Sequence, residues 1–335
     1  MDVLADVLAV SGVRGTLGAR IEAGSDWGWW ADPSPAAAFH AVTAGTAWLG
    51  LPGQDPLQLM PGDVVLLPTG TEHVLGSDAA AVARTSEQVF SMWERAGSGA
   101  VRIGDGPVQT HILCAHYGHD PAVATQVLTL LPDLVHIRAE NGGGCLEDTV
   151  RLLARELAHP QIATAVVLDS LVDILLVQLL RVWLEDRPES SQASWLGVLG
   201  DPVVGAAVAR IHADPARDWT TATLAHELSV SRATLSRRFD AVVGQSPAAY
   251  LTRWRMDLAA RRLRDTDDSL EAVAQAVGYT SVYAFSRAFS RARAQPPGRY
   301  RVEARAAQRG GQAAAAAGGS AGSPVRVCRS QVQPA

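Results

Sequence analysis

The sequence predicts a multidomain chain of the α+β class, with a β-rich N-terminal part and an all-helical C-terminal part. Short apolar runs separated by turn residues occupy the region from about residue 27 to residue 118, and helical periodicity follows. One helix-turn-helix pattern then occurs twice in the last third of the 335 residues. Residues 1–199 carry 10 arginines and 23 acidic residues, whereas residues 200–305 carry 16 arginines and 11 acidic residues. An acidic part joined to a basic part is typical of a protein in which only one domain meets a polyphosphate.

The N-terminal part has the short elements of an all-β domain behind one small helix. Apolar residues at positions 3, 4, 7 and 8 have helical spacing, so we expect a helix at the very start. Pro52-Gly53, Pro61-Gly62-Asp63 and Thr69-Gly70 mark turns. The apolar runs among these turns are expected to be strands of an antiparallel sandwich or barrel, namely Ala47 to Leu51, Val64 to Leu67, Ala80 to Ala83 and Ile112 to Ala115.

Helical periodicity begins after Pro121, and we predict helices at 122–131, 146–158 and 162–185. The last of these has an apolar face formed by Leu168, Val172, Leu175, Leu179 and Val182. It also has a second apolar face, formed by Leu171, Ile174 and Leu180. Two interpretations stay open for that second face, an interface between two copies of the chain and packing within its own domain.

The helical C-terminal part repeats one pattern. The first copy has Leu224-Ala225, a turn through residues 229–231 and then an apolar pair, Leu235 and Phe239. The second copy has Val273-Ala274, a turn through residues 278–281 and then Phe285 and Phe289. The copies are offset by 49 residues before the turn and by 50 after it, so both keep the phase of their helices. Two like modules in one chain indicate contact with a repeating partner, and duplex DNA is such a partner.

The second helix of each copy is the candidate recognition helix. Ser231 is expected to cap the helix of the first copy. Because Leu235 and Phe239 face inward, the outward positions are Arg232, Ala233, Ser236 and Arg237, and the same positions of the second copy are Val282, Tyr283, Ser286 and Arg287. Arginine donates two hydrogen bonds to guanine O6 and N7, and serine bonds base edges or phosphates. A connecting helix over 247–263 would span roughly 25 to 30 Å, close to one turn of B-DNA.

Residues 201–303 resemble the DNA-binding domain of the AraC/XylS family of bacterial transcription regulators. The motifs that match are Ser231 to Phe239, Gly244-x-Ser246-Pro247, Ala274 to Tyr279, Phe285 to Phe289 and Pro296-Pro297-x-x-Tyr300-Arg301. The resemblance implies contact with DNA by Ser231, Arg232, Ala233, Ser236, Arg237, Ser281, Val282, Tyr283, Ser286 and Arg287. Family members often have larger polar residues at positions 233 and 282, so contact there is expected to be limited to thymine methyl groups.

Roughly residues 2–185 are similar to the cupin-like sensor domains that often precede such a module. Gly62-Asp63, Pro68, Gly70 and His73 look like the second cupin motif. Metal-binding cupins take two histidines and a glutamate from the first motif, and with Gly45 at the end of that motif the glutamate position holds Ala38. The metal set is therefore absent, and we expect neither a metal nor another cofactor.

The candidates for binding an effector in this part are His40, Trp48, His73, Cys114 and His116. His111, Cys114, His116 and His119 form a second cluster of residue types that bind metals, although on one strand His111 would face away from Cys114 and His116. A core thiol beside surface histidines and a redox or metal sensor both stay open. Phe90 and Trp93 either line an effector cavity or pack the barrel.

These features predict a cytoplasmic, sequence-specific transcription factor that is not an enzyme. Its barrel would sense a small-molecule or redox signal, and its helical module would bind double-stranded promoter DNA. An unknown effector, a second copy of the chain and RNA polymerase are the candidate partners besides DNA. The alternative is a cupin-type enzyme or a DNA-repair protein fused to a DNA-binding module. A third hypothesis makes the barrel only a scaffold for dimerisation.

The remaining predictions concern the boundaries and the class of chain. We expect an effector and dimerisation domain at 1–185, a linker at 186–200, a DNA-binding domain at 201–303 and a disordered tail at 304–335. The start of the chain lacks the basic region and long apolar core of a secretory signal. No contact with a membrane is expected, because Asp169 and Asp173 interrupt the most apolar run. Three widely spaced cysteines predict no disulfide framework.

Overall fold

A computed structural model describes residues 3–87, 100–118, 128, 131–186, 198, 200–316 and 326–328. The chain divides into two compact units. One, the helical unit, consists of Met1–Val13, His119–Leu130 and Arg187–Ser320. The other, the sandwich unit, consists of Arg14–Gly118, Leu131–Asp186 and Ala321–Ala335. This grouping assigns the first helix, α1 (Val3–Ser11), to the helical unit, whereas the sequence prediction joined it to the β-rich part.

The sandwich unit contains two β-sheets. The six-stranded sheet has the order β10-β6-β3-β9-β1-β8, with β1 Arg14–Ser25, β3 Ala37–Ala44, β6 Val64–Leu67, β8 Ala100–Ile103, β9 Asp105–Gly118 and β10 Val135–Ile137. The five-stranded sheet has the order β11-β2-β7-β4-β5, with β2 Gly28–Ala31, β4 Ala47–Gly50, β5 Leu57–Leu59, β7 His73–Gly76 and β11 Arg326–Cys328. The predicted runs at 47–51, 64–67 and 112–115 lie in β4, β6 and β9, which confirms them as strands.

Side chains from both sheets form one core. Ile21 and Ile112 of the first sheet pack in the same buried cluster as Trp29, Leu49 and Leu75 of the second. Each is at most 6% exposed. Burying one such side chain stabilises a fold by roughly 1.5 to 3 kcal/mol, so this cluster contributes strongly to the stability of the sandwich.

The run at 80–83 is not a strand, and that prediction is wrong. These residues lie in helix α2 (Ala79–Glu87). Asp78 precedes the helix, and its Oδ1 accepts a hydrogen bond from the N–H of Ala81 at 2.7 Å. A capping carboxylate followed by alanines favours a helix, and four apolar residues have no period that distinguishes the two structures.

The larger sheet is mixed, whereas an antiparallel domain was expected. β8 runs parallel to β1, with Arg20 opposite Ala100 and Ala23 opposite Ile103. The remaining neighbours in this sheet are antiparallel, as β1 with β9 and β3 with β6. A parallel neighbour requires a long crossover, and the chain between β1 and β8 contains β2 to β7 and α2. Apolar runs carry no information on strand direction, which explains the error.

Two helices follow the strands in the sandwich unit. They are α3 (Gly143–Ala158) and α4 (Thr164–Asp186), close to the predicted ranges. Most of the predicted apolar face of α4 is buried, at Leu168, Val172, Leu175 and Leu179. The Tyr117 hydroxyl donates to the Val172 carbonyl at 2.8 Å, and Asp173 Oδ1 accepts from the N–H of Gly15 at 2.6 Å. Residues 122–127 of the predicted preceding helix and most of the predicted linker lie outside the described residues.

The helical unit contains both predicted modules. Its further helices are α5 Pro202–Ala213, α6 Thr221–Glu227, α7 Arg232–Val243, α8 Pro247–Asp265, α9 Leu270–Ala276, α10 Val282–Arg293 and α11 Pro297–Ala316. Helices α6 and α7 form the first helix-turn-helix, and α9 and α10 form the second. The buried ring of His212 stacks on Trp254 at 3.7 Å and hydrogen-bonds the Tyr250 hydroxyl at 2.8 Å and Asp6 of α1 at 3.3 Å. These contacts attach α1 to α5 and α8.

The segment predicted to be disordered contains regular structure. Helix α11 continues to Ala316, and β11 pairs with β2 through Val327 opposite Trp29. The absence of an apolar period led to the prediction, but alanine has the highest helix propensity and needs no such period to extend a helix. Within the described ranges, none of the helices combines the length and the apolar character that crossing a bilayer requires.

Candidate nucleic-acid interface and barrel interior

The two candidate recognition helices begin in the same way. Ser231 Oγ accepts from the N–H of Thr234 at 3.0 Å at the start of α7, and Ser281 Oγ accepts from the N–H of Ala284 at 3.4 Å at the start of α10. Both serines are exposed. Because their hydroxyl oxygens cap the helices, the groups left for an anion are the unpaired N–H groups of the first helical turn.

The outer face of α7 presents two arginines. Leu235 and Phe239 are fully buried, while Arg232, Ala233, Ser236 and Arg237 are exposed, as predicted from the period. Among the described residues, no hydrogen bond or ion pair engages the guanidinium of Arg232 or Arg237. The next arginine turns inward, since Arg238 binds Asp201 Oδ2 through Nε at 3.0 Å and Nη2 at 2.8 Å. Adjacent arginines therefore serve different purposes, the second one anchoring the start of α5.

The outer face of α10 has a different chemistry. Tyr283 is 73% exposed and Arg287 is also exposed, whereas Val282 and Ser286 are half-buried. The Arg287 Cζ lies 5.8 Å from the centroid of the Tyr283 ring, within range of a cation–π interaction. Phe285 and Phe289 are fully buried on the opposite face. This helix therefore offers one cation beside an aromatic surface, where α7 offers two cations.

The core beneath α10 contains an ion pair. Arg293 binds Asp257 of α8, with both side chains at most 3% exposed. Asp257 lies beside the apolar cluster that joins Met256, Phe285 and Phe289. The residue fifty positions before Arg293 is Val243, so the first copy has an apolar side chain there. The two modules share a fold but not the same interior.

Inside the sandwich, three predicted effector residues form one hydrogen-bonded chain. His73 Nδ1 lies 2.8 Å from the Thr71 carbonyl oxygen, which only accepts, so this nitrogen carries the proton. The Nε2 of neutral His73 then accepts from Nε2 of His40 at 2.7 Å. The Nδ1 of His40 in turn accepts from the Cys114 thiol at 3.0 Å. The carbonyl at one end thus fixes the direction of every donor in the chain.

Burial keeps each member of this chain uncharged. His40, His73 and Cys114 are at most 3% exposed. Burial lowers the pKa of His73 to about 4 and, with the nearby His73, lowers the pKa of His40 well below its usual value. Burial also raises the pKa of the Cys114 thiol far above its usual range. His116 is exposed at the surface of β9, and partial desolvation of its ring lowers its pKa.

The interior does not fit the metal of a cupin. The position of the metal-binding glutamate holds Ala38, which is opposite His116 in the β3–β9 ladder. Both nitrogens of His40 and both of His73 already have hydrogen-bond partners. Among the described residues, no group of three or more His, Cys, Asp or Glu side chains has the arrangement to hold a metal ion. The hydrogen bonds of these side chains therefore account for a neutral polar core.

Other candidate residues lie apart from the hydrogen-bonded series of Cys114, His40 and His73. Trp48 alternates with Ala47 and Leu49, which belong to the core, so its half-buried side chain lies on the other face of β4. His111 also faces away from Cys114 on β9, as the strand period predicts. Phe90, Trp93 and His119 lie outside the described residues. The sequence motifs identified His73 and His40, but the register that places Cys114 beside His40 was not available from them.

The same two parts match known families. A cupin family model matches residues 2–185, and a helix-turn-helix domain model matches residues 224–303. The chain is 38% identical over 303 residues to an AraC-like transcription regulator of Streptomyces lividans, covering 90% of this chain and 98% of the relative. A protein of Streptomyces antibioticus with the same description is 38% identical over 305 residues, with the same coverage. The transcriptional regulator AlkR of Acinetobacter baylyi is 28% identical over 79% of this chain and 87% of its own length.

The cupin match covers more than half of the chain, and the Streptomyces relatives extend over nearly all of it. Their shared description agrees with the duplicated module and with the exposed cations of its recognition helices. The chain therefore belongs to the AraC-like transcription regulators, as a sequence-specific DNA-binding protein that carries an N-terminal cupin domain.

Proposed function

We propose that the chain binds promoter DNA by inserting α7 and α10 into successive major grooves. The observation that carries this proposal is the exposed face of α7, where the guanidinium groups of Arg232 and Arg237 have no partner among the described residues. An arginine left uncommitted on a recognition helix is available for two hydrogen bonds to guanine. Helix α8, at about 1.5 Å per residue, is about 28 Å long, which suits the repeat of the duplex.

The two helices would contribute differently to recognition. Arg232 and Arg237 supply hydrogen-bonded contacts to base edges, with Ser236 as a further polar contact. Tyr283 and Val282 supply apolar contact with thymine methyl groups, and Arg287 supplies the one cation predicted at the equivalent position. Ser231 and Ser281 would lie at phosphates because they start the helices. We expect the first half-site to be more sensitive to base substitution than the second.

The test of these assignments uses the full-length chain and a duplex obtained from it by in vitro selection. Arg237→Ala and Arg287→Ala should each weaken binding by about 1 to 3 kcal/mol and relax the base preference at one position. Arg151→Ala is the matched control, because it removes an exposed arginine from α3 in the sandwich unit. If both recognition variants bound the duplex like wild type, the assignment of α7 and α10 would be wrong.

We propose that the sandwich unit senses a small-molecule effector and has no enzymatic activity. The Streptomyces lividans relative, which aligns with 90% of this chain, is described as a transcription regulator. Among the described residues the interior holds neither a metal-binding group of side chains nor an ionised nucleophile, since burial raises the pKa of Cys114. That burial also disfavours a redox signal at this thiol, because the thiolate is the reactive form. A cleft of about 560 Å³ lined by Asp26, Trp27, Thr46, Ser77 and Gln109 is large enough for a small polar molecule.

A metal assay separates this proposal from the enzyme alternative. Purified full-length chain should contain no stoichiometric iron, manganese or zinc after exposure to each ion and gel filtration. A bound equivalent of any of these metals would revive the cupin-type enzyme. An effector, in contrast, should raise the melting temperature of the chain or change its affinity for the selected duplex.

We also propose that the chain acts as a homodimer through α4. Val166, Val167 and Ile174 on the outer side of this helix are 66%, 39% and 46% exposed. Leu171 and Leu180, which were grouped with Ile174 in the predicted second face, are buried in their own unit instead. The surface available to a second copy is therefore narrower than that face. A dimer on two tandem copies of the half-site pair would bind more tightly than a single chain on one copy, because the second contact becomes intramolecular.

The proposed target has two further consequences. A protein on promoter DNA lies beside the site where transcription starts, so we propose RNA polymerase as a partner. We also propose a cytoplasmic location, because the chromosome that the chain would bind lies there. A transcription assay with purified polymerase and the selected duplex tests the first of these, because binding without any change in transcript would oppose a contact with the enzyme.

A further inference from the structure

Arg255 of α8 holds a loop of the first module. Its Nε donates to the carbonyl oxygen of Pro215 at 2.7 Å, and its Nη2 donates to that of Arg217 at 2.9 Å. This loop joins α5 to α6 and leads directly into the first helix-turn-helix. Hydrogen bonds from a guanidinium to carbonyl oxygens are charge-assisted and therefore stronger than neutral ones. The position of the loop relative to α8 is thus fixed by Arg255.

The loop itself is tied to the first module. Trp219 Nε1 donates to the carbonyl of Asp214 at 2.9 Å, which closes the loop on itself. Arg217 Nη2 lies 2.6 Å from Oε1 of Glu227, the last residue of α6. The loop therefore moves with the module, and a group that binds the loop binds the module as a whole.

The same guanidinium lies against the turn of the second module. Gly278, between α9 and α10, has φ +79°, and a Cβ added there would lie 2.7 Å from Arg255 Nη2 and 2.7 Å from the Ala216 carbonyl oxygen. Real Cβ atoms do not approach so closely, so Gly278 is the residue that allows this contact. The Arg255 Cζ is also 6.0 Å from the ring centroid of Tyr279. Arg255 thus contacts both modules at once.

Comparison of the two copies shows that the close approach of Arg255 to Gly278 is a constraint distinct from the left-handed conformation of the turn. The first module has Ser229 at the corresponding place in its turn, with φ +55° and an exposed side chain. Both turns therefore contain a residue in the left-handed backbone conformation. Only at Gly278 is a side chain excluded, because Arg255 and the loop of the first module lie against that glycine. Arg305, fifty residues after Arg255, holds the loop before α9 through Thr266 and Asp267. It is the matched arginine of the second copy.

We propose that Arg255 is a positioning residue that holds the two modules at one separation and so restricts the chain to one spacing between half-sites. This inference rests on the proposed contacts of α7 and α10 with DNA. One added base pair moves the second half-site by about 3.4 Å along the duplex and by about 34° around it. Modules that are locked together cannot follow that change, whereas modules released from each other can.

The experiment measures spacing selectivity with the full-length chain. The probes are the selected duplex and four derivatives in which the segment between the half-sites is one or two base pairs longer or shorter. Dissociation constants are measured by fluorescence anisotropy at one salt concentration for wild type, Arg255→Met and Arg255→Lys. Arg305→Met is the control, since it also removes an arginine that hydrogen-bonds a loop, in this case the loop before α9. Thermal melting by circular dichroism reports the folding of each variant.

Wild type and Arg305→Met should lose about tenfold or more in affinity for each base pair added or removed. Arg255→Met should bind the selected duplex about tenfold more weakly and should vary by less than about threefold across the series. A spacing penalty in Arg255→Met equal to that of wild type overturns the proposal, as does a wild-type chain without any spacing penalty. If Arg255→Met lacks a cooperative melting transition, the same outcomes are judged on Arg255→Lys, which keeps the charge but not the planar set of donors.

The recognition variants distinguish this failure from failure of the proposed function. If Arg237→Ala and Arg287→Ala bind like wild type, the assignment of the recognition helices fails. If those variants lose affinity while Arg255→Met keeps the full spacing penalty, only the positioning role of Arg255 fails.

Discussion

At the scale of single residues, the buried chain from Cys114 through His40 and His73 to the Thr71 carbonyl has a clear energetic consequence. Each imidazole is neutral and accepts one hydrogen bond, so a proton added to either ring removes an acceptor and places a charge in the core. The folded sandwich therefore resists protonation that the unfolded chain accepts.

We predict that the sandwich unit loses stability as the pH falls from about 6.5 towards 4. The pKa of His73 is about 4 in the folded state and 6.5 when the ring is exposed. In this window the unfolded state therefore binds more protons than the folded state, and the free energy of unfolding falls as the pH is lowered. His73 alone should account for a loss of about 3 kcal/mol by pH 4. Urea unfolding at several pH values between 7 and 4 measures the loss.

His73→Gln should be less stable at pH 7 but should show a smaller fall on acidification. The comparison isolates His73 from His212, whose pKa burial also lowers, to about 3, in the helical unit. His159→Gln removes an exposed histidine from the end of α3 and is the control. An equal fall in the free energy of unfolding of wild type and His73→Gln would show that the hydrogen-bonded series from Cys114 to Thr71 does not govern the acid response.

The sequence predicted part of this arrangement and could not predict the rest. The resemblance to the second cupin motif identified His73, because Gly62, Pro68, Gly70 and His73 lie within one short stretch of the chain. Cys114 is opposite His40 only through the pairing of β3 with β9, two strands far apart in sequence. Trp48 lies on the other face of β4 from the core residues Ala47 and Leu49, and a single aromatic residue in a sequence does not reveal which face of a short strand it occupies. The role of Arg255 depends on a contact between two modules, which neither motif contains.

At the scale of elements, local sequence signals predicted an element correctly where its apolar residues kept one period over several turns. The caps and turns of α7 and α10 follow from serine and from a buried apolar period, and the duplicated copy supports the phase. Short runs failed, as at α2, because an alanine-rich stretch of four residues fits either structure. Strand direction failed at β8 because it is decided by the path of the whole chain between β1 and β8.

The ends of the two recognition helices provide a matched prediction. The residue that caps the end of α7 is Gly244 with φ 71°, whereas the residue that caps the end of α10 is Ala294 with φ 55°. This left-handed conformation costs a non-glycine residue about 1 kcal/mol. We therefore expect Ala294→Gly to stabilise the helical unit by about that amount and Gly244→Ala to destabilise it similarly. Denaturant unfolding of the two variants measures both changes. The same sign for both substitutions would contradict the explanation by backbone conformation.

At the scale of the whole molecule, the division into units does not follow the order of the chain. Helix α1 precedes the first strand in sequence but belongs to the helical unit, where Asp6 meets His212. The chain then enters β1 of the sandwich unit at Arg14. By these boundaries the backbone passes between the two units five times, after residues 13, 118, 130, 186 and 320.

The last prediction concerns assembly. If α4 forms the interface between two copies, Val166→Glu with Ile174→Glu should convert a dimer into a monomer, because charges would be buried at the centre of an apolar contact. Sedimentation velocity of the full-length chain measures the change in mass. Arg181→Glu near the end of the same helix is the control, since it alters charge at an exposed polar position. The monomer should retain affinity for one copy of the selected half-site pair and lose the gain that wild type shows on two tandem copies. A double variant that sediments as wild type, or a wild-type chain that is already monomeric on tandem sites, would contradict an interface at α4.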